Sequence, residues 1–299
     1  TCTEEYDGTN WATSNALSAA TYLAMGGGTQ NAGIIAGGTQ PGSSGYYSTS
    51  YHYDGSSWSS GGAMSTARGY QTGGGLQDDF TVGGGLTPSY TSTTERYNGV
   101  SWCNVTPQPY NTYLNQSAPQ SGGSNMLAFG GYTPSPSAGF SGRTLFYCET
   151  TDIDSSIPYC LGAWSADANM ITARALVGGA GTQNAGLAFG GQTPSASSLT
   201  EEYDGTSWTA GGALIIARSD MGGAGTQNAG LAFGGGTPSD SNATEEYGGS
   251  SWTSGGNLIT ARRLLAGGGT QNSALAFGGG PSVNNSTEEY DGSSWASGG

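Results

Sequence analysis

Short apolar runs alternate with turn-forming clusters along the whole chain. Residues 261 to 280, ARRLLAGGGTQNSALAFGGG, carry two apolar stretches on either side of a GTQN turn, and Gly-Gly ends the second. A second pattern follows, as in TEEYDGTSW (200 to 208), TERYNGVSW (94 to 102) and TEEYDGSSW (287 to 295). It reads as a short strand ending in Tyr, an Asp-Gly or Asn-Gly pair supplying the positive φ that a primed turn needs, and a strand opening at Trp. Both patterns predict hairpins, so each repeat predicts four strands, and no long helix is expected. All seven tryptophans mark the period, at Trp11, Trp58, Trp102, Trp164, Trp208, Trp252 and Trp295, mostly 43 to 47 residues apart. The fourteen residues GGAGTQNAGLAFGG occur at 178 to 191 and again at 222 to 235.

A four-stranded sheet of about 44 residues cannot bury both faces alone, so neighbouring units must stack on it. Small residues allow crowding near an axis, and Tyr and Trp fill the wider space further out. A ring of radial blades satisfies both, which predicts an all-β, single-domain β-propeller over residues 1–299. The Gly-Gly pairs (Gly37-Gly38, Gly83-Gly84, Gly130-Gly131, Gly190-Gly191, Gly234-Gly235 and Gly278-Gly279), the Tyr and Trp at fixed spacing, and Arg68, Arg174, Arg218 and Arg262 together resemble the kelch repeat. Thr21 and Leu114 stand at the two departing arginine positions. Six Gly-Gly hairpins against seven Tyr/Trp hairpins predict seven positions with one incomplete blade; six blades is the alternative. The unit from 103 to 164 departs from the rest: its period stretches to 62 residues, QSGGSN replaces GTQN, and prolines cluster in it.

Composition narrows the partner classes. The chain has 21 acids, seven arginines, no lysine and a formal net charge of −14. Such a surface repels phosphate backbones and anionic lipid, so neither nucleic acid nor membrane insertion is expected. Only 9% of residues are charged, while 56 are glycine and about a quarter are Ser or Thr. Hydroxyls and amides therefore carry the surface solvation, in the manner of an extracellular or virion-surface β protein.

Little in the chain points to catalysis. Cys148 and Cys160 flank the loop ETTDIDSSIPY, and a disulfide between them is expected, worth about 2 to 3 kcal/mol by loop closure. Cys2 and Cys103 pair only if the first hairpin and the third unit come close. Asp152 and Asp154 read as a solvated acidic loop rather than a calcium site. The Glu pairs at 4–5, 201–202, 245–246 and 288–289 lie on strands, where neighbours point to opposite faces. The expectation is a salt bridge to the repeat arginine for one Glu and solvent for the other. His52 is the single histidine, too few for a multi-histidine metal site. No cofactor, no metal and no enzymatic activity are expected.

Within the chain, one class of loops is uniform (GTQN, Asp-Gly) and the opposite class varies: TQPGSSGYYSTS, LTPSYTSTT, YTPSPSAGFSGRT, QTPSASSL. Variation on a rigid scaffold is where recognition is usually placed. Tyr46, Tyr47, Tyr90 and Phe140 on these loops offer flat apolar surface suited to sugar rings or a protein partner. The function expected is a non-enzymatic binding or structural module, displayed extracellularly or on a virus particle, with a glycan or a structural protein as partner. Lysine-free, Gly/Ser/Thr-rich arrays of this kind are similar in style to propellers of phage virion and fibre proteins. Two alternatives stand beside it: a secreted carbohydrate-active or galactose-oxidase-like enzyme, whose copper site needs two histidines, and an intracellular kelch adaptor.

Overall fold

A computed structural model describes residues 3–8, 10–40, 45–113, 116–117, 125–133, 139–148, 163–280 and 286–298. These residues form six four-stranded antiparallel sheets and contain no helix. The first blade is built from Met25–Thr29, Ala32–Ala36, Thr49–Tyr53 and Trp58–Ala63, and the second from Thr72–Leu76, Asp79–Gly83, Thr94–Tyr97 and Trp102–Val105. The third, which holds the divergent segment, uses Gln116–Ser117, Asn125–Phe129, Thr144–Cys148 and Ala163–Asp167. The fourth uses Gly178–Thr182, Ala185–Phe189, Thr200–Tyr203 and Trp208–Ala210; the fifth, Gly222–Thr226, Ala229–Phe233, Thr244–Tyr247 and Trp252–Ser254; the sixth, Ala266–Thr270, Ser273–Phe277, Thr287–Tyr290 and Trp295–Ser297. The first strand of each blade touches the first strand of the next, so these strands line the centre of a β-propeller.

The ring thus has six complete blades, as the six-bladed alternative has it. A separate two-stranded hairpin, Thr3–Tyr6 with Trp11–Ser14, packs between the sixth blade and the first. On one side the Trp58 indole donates to Thr3 Oγ1 at 2.7 Å and Tyr53 meets Glu5; on the other the Trp11 ring approaches Phe277 and Tyr6 bonds to Glu289. This hairpin is the outer half of a further position.

Glycine on the innermost strands sets how closely blades approach. A Cβ on Gly223 would stand 2.6 Å from the Gly179 carbonyl oxygen of the preceding blade. Further out, the Trp of each of the last three blades packs on the Phe that ends the second strand of the blade before it: Trp208 on Phe129, Trp252 on Phe189 and Trp295 on Phe233, with ring centroids 5.0 to 5.4 Å apart. The indoles of these three donate to Thr144, Thr200 and Thr244 of the same preceding blades.

At the joint between blades lies a buried ion pair. Arg68, Arg174, Arg218 and Arg262 are fully buried, each paired with the first Glu of a TEEY or TERY strand: Glu95, Glu201, Glu245 and Glu288. Arg218 also donates to the carbonyls of Gly234 and Ala243, at 2.7 Å each, while the Glu245 carboxylate accepts the amides of Ile215 and Ile216. Burial pulls the guanidinium pKa down and the facing carboxylate holds it up. The second Glu departs from expectation. Instead of facing only solvent, Glu202 and Glu246 accept the phenols of Tyr247 and Tyr290 in the following blades. That contact keeps an otherwise buried hydroxyl hydrogen-bonded.

The Asp-Gly turns close on themselves. Asp204 accepts the amides of Thr206 and Ser207 and the Thr206 hydroxyl, each at 2.8 Å. These donors, led by the Thr206 hydroxyl, lower its pKa from 3.8 to about 2; Asp54 and Asp291 fall to about 2 as well, led by the amides of Ser57 and Ser294. Asn98 takes the same two amide bonds without a charge.

Two predictions follow from this packing. Arg218→Met leaves Glu245 buried and unpaired and should cost about 3 to 5 kcal/mol in urea unfolding. Arg263→Met, which breaks the half-exposed pair with Asp240, should cost less than about 1 kcal/mol. The aspartate turns lower the carboxyl pKa on folding, so their stabilisation is present above about pH 4 and is lost as pH falls toward 2. Asp204→Asn should therefore melt below the wild type at pH 7 by a margin that closes as pH approaches 2, read by calorimetry across that range.

Candidate recognition face at the channel mouth

Antiparallel order puts the GTQN and Asp-Gly turns on one side of the ring. The loops joining second to third strands, and each blade to the next, lie on the other. On this second side the residue two after the repeat arginine is left-handed: Tyr70, Leu176, Asp220 and Leu264, with Leu23 at the same place after Thr21, all at φ between 54° and 59°. A non-glycine residue held there costs about 1 to 2 kcal/mol, so the neighbours must impose it. They do so through a belt of bonds from blade to blade: the Tyr70 amide to Leu23 O, Asp220 to Leu176 O and Leu264 to Asp220 O, at 2.9 to 3.2 Å. These residues surround the mouth of the central channel.

At this mouth the first three blades gather aromatic rings. Tyr113 is the hub: Tyr90 lies 4.9 Å from it, Tyr132 is stacked on it at 5.2 Å with 23° between planes, and Tyr70 meets it edge-on at 6.2 Å. Phe140 extends the run, 5.4 Å from Tyr132. Tyr46 packs over Gly69, close to Tyr70 and Tyr22. Burial raises the Tyr46, Tyr113 and Tyr132 phenols, Tyr113 to about 12 with help from its bond to Tyr90, and Asp220 adds to the shift at Tyr132. These phenols are therefore neutral donors at physiological pH. Beyond Phe140 lies a cavity of about 300 Å³ lined by Ser141, Arg143, Asn169 and Met170 among others.

Of the four residues expected from the sequence, Tyr46, Tyr90 and Phe140 join this cluster. Tyr47 does not take part in these ring contacts; its hydroxyl turns to Gln40 at 3.1 Å. Sequence reasoning missed Tyr70, Tyr113, Tyr132 and Asp220. Tyr70 and Asp220 were within reach, because aligning ARGYQTGG and ARSDMGG with ARALVGG puts a tyrosine and an acid where the repeat has leucine. Tyr113 and Tyr132 sit where the third unit departs from the pattern. Cys160, Asp152, Asp154 and the side chain of Cys148 lie outside the described residues, so the expected disulfide and acidic loop are not placed. His52 stands in the first blade where the fourth and fifth have Glu202 and Glu246. Its ring meets Tyr97 edge-on at 4.7 Å, and burial lowers its pKa.

No family model matches the chain, and no curated protein matches it. Among solved structures it is similar to that of YjhT, with 13% sequence identity over 94% of this chain and 98% of that one, at a TM-score of 0.69. At that identity the likeness shows the fold alone: an all-β propeller.

Proposed function

We propose that this propeller is a non-enzymatic recognition module whose aromatic channel mouth binds a glycan. The observation that carries the reading is the connected run of rings from Tyr70 through Tyr113 and Tyr132 to Phe140, with Tyr90 exposed beside it. Flat faces bind the apolar faces of sugar rings, and phenols that stay protonated donate hydrogen bonds to their hydroxyls. Asp220 adds an acceptor at the mouth, and Arg143 and Asn169 supply donors at the far end of the run. The strained belt supports the same reading, since left-handed non-glycine residues cluster where a surface is held ready for a ligand. A structural protein partner is the second occupant that these rings suit. With its acidic, lysine-free surface, the module is proposed to work outside the cell or on a virus particle.

The test is a glycan array followed by titration calorimetry on the best ligand. Tyr90→Ala and Tyr70→Ala should each weaken binding about tenfold or more, as hot-spot aromatics do, and Tyr47→Ala should leave it within about twofold. Retained affinity in both of the first two variants would remove the mouth from the site. An array without hits, beside a structural protein captured only when Tyr90 is present, would favour the second occupant.

A further inference from the structure

Six of the seven arginines have a carboxylate partner: Arg68, Arg174, Arg218 and Arg262 at the joints, Arg96 with Asp79, and Arg263 with Asp240. The seventh is Arg143, and none of the described carboxylates pairs with it. In a chain with a net charge of −14 and no lysine, an arginine without an acid is the exception. Its guanidinium lies instead over the Tyr110 ring, 3.7 Å from the centroid. Stacking covers one face of the guanidinium and leaves the N–H groups along its edge to a ligand.

The joints do not call for this residue. Arg143 stands at the place of Thr93, Leu199, Ala243 and Ser286, whose carbonyls accept the repeat arginine at the other joints. In sequence, the third blade has Leu114 and Leu145 where that arginine and its glutamate would stand. Arg143 does not make up for them. Whereas the Arg218 guanidinium donates to two carbonyls and a carboxylate, that of Arg143 is half-buried and donates to neither kind of acceptor among the described residues.

Glycine opens the space beside it. Gly142 takes the place of Asn242 in the fifth blade, where the side-chain amide crosses to the Leu258 carbonyl at 3.2 Å. Met170 is the counterpart of Leu258, and next to Gly142, which has no side chain to cross with, lies the cavity of about 300 Å³. Phe140, Ser141, Arg143 and Asn169 are among the residues that line it. A volume at the small end of ligand pockets suits a single sugar ring at the end of the aromatic run. The nearby acids are engaged elsewhere: Asp167 accepts the Tyr203 phenol and the Ala168 amide, each at 2.6 Å, and Asp220 accepts the Ser219 hydroxyl at 2.9 Å.

We propose that this cavity holds the charged group of an acidic sugar, a carboxylate or a sulfate ester, with the sugar ring against Phe140. The inference rests on the reading of the channel mouth as a glycan site and names the class of glycan. The oxyanion accepts N–H bonds from the edge of the Arg143 guanidinium, whose fork matches two oxygens at once, and the Asn169 amide adds a further donor. One guanidinium balances one charge. A phosphate dianion would keep its second charge against the field of a chain at −14, so the fitting ligand carries a single charge.

The test is a set of oligosaccharides whose terminal glucose, galactose or mannose is presented as the neutral sugar, the uronic acid, its methyl ester, the 6-sulfate and the 6-phosphate, titrated into the protein by calorimetry. For at least one of these sugars the uronic acid or the 6-sulfate should bind about tenfold or more tighter than the neutral sugar and the methyl ester, and tighter than the 6-phosphate. Whichever of the two leads identifies the charged group. Arg143→Gln should bring the ratio of acidic to neutral affinity to about one, and so should Gly142→Asn, which fills the cavity as Asn242 does in the fifth blade. Tyr110→Ala should lower the ratio, whereas Arg263→Met, which removes an equal charge from the same side of the ring, should leave it unchanged. Tyr90→Ala should weaken acidic and neutral members alike. Equal affinity for acidic and neutral members, or a ratio that survives both Arg143→Gln and Gly142→Asn, would overturn this inference and leave the glycan reading standing. Binding by no member of the set would overturn both.

Discussion

The structure depends on a buried arginine–glutamate pair placed at the joint between one blade and the next. Arg218 sits on the linker that leaves the fourth blade, yet its guanidinium bonds to Gly234, Ala243 and Glu245 of the fifth. Its own amide and carbonyl tie back to Ser197 and Gly191 of the fourth. The facing carboxylate completes the circuit by accepting two linker amides. One side chain thus bonds two carbonyls at the glycine-rich turn of the next blade, and it fixes the angle between sheets. A buried pair of this kind contributes little net stability against an apolar substitute, but losing one member leaves an uncompensated charge. The pair therefore acts as a constraint on geometry more than as a source of free energy.

From that constraint the channel mouth follows. The linker leaving the arginine must turn sharply into the innermost strand, and the left-handed residue two positions on makes the turn. At three joints that residue is bonded to its equivalent in the neighbouring blade, which ties the backbone at the mouth from blade to blade. Side chains on it can vary without disturbing the joints, which is how Tyr70 and Asp220 come to stand where other blades carry leucine. The acceptors and rings that we propose as a glycan site are therefore held by the same bonds that hold the ring.

Much of the fold was legible in the sequence. Tyr, Asp-Gly and Trp at fixed spacing gave the outer hairpins, GTQN between apolar stretches gave the inner ones, and the surplus of one outer hairpin appears as Thr3–Ser14, with no inner hairpin beside it among the described residues. The Arg–Glu pairing was legible too, because the complete blades that lack the arginine, at Thr21 and Leu114, lack the glutamate as well. The role of the second glutamate was not: its tyrosine partner lies 44 or 45 residues away on the next blade, a contact that only the ring creates. The aromatic cluster was legible in part. Loop variation pointed to Tyr46, Tyr90 and Phe140, but Tyr113 becomes the hub through the approach of three blades, which no local pattern encodes.

Native-state hydrogen exchange at the linker amides tests the central claim most directly. Ile171, Ile215 and Ile259 have largely exposed side chains on irregular segments, where amides ordinarily exchange through local fluctuation. If the carboxylates of Glu201, Glu245 and Glu288 bind these amides as the joint requires, they should exchange as slowly as the strand cores, through global unfolding only. Exchange at the rate of the neighbouring loops would mean that the pairs do not hold the blades together.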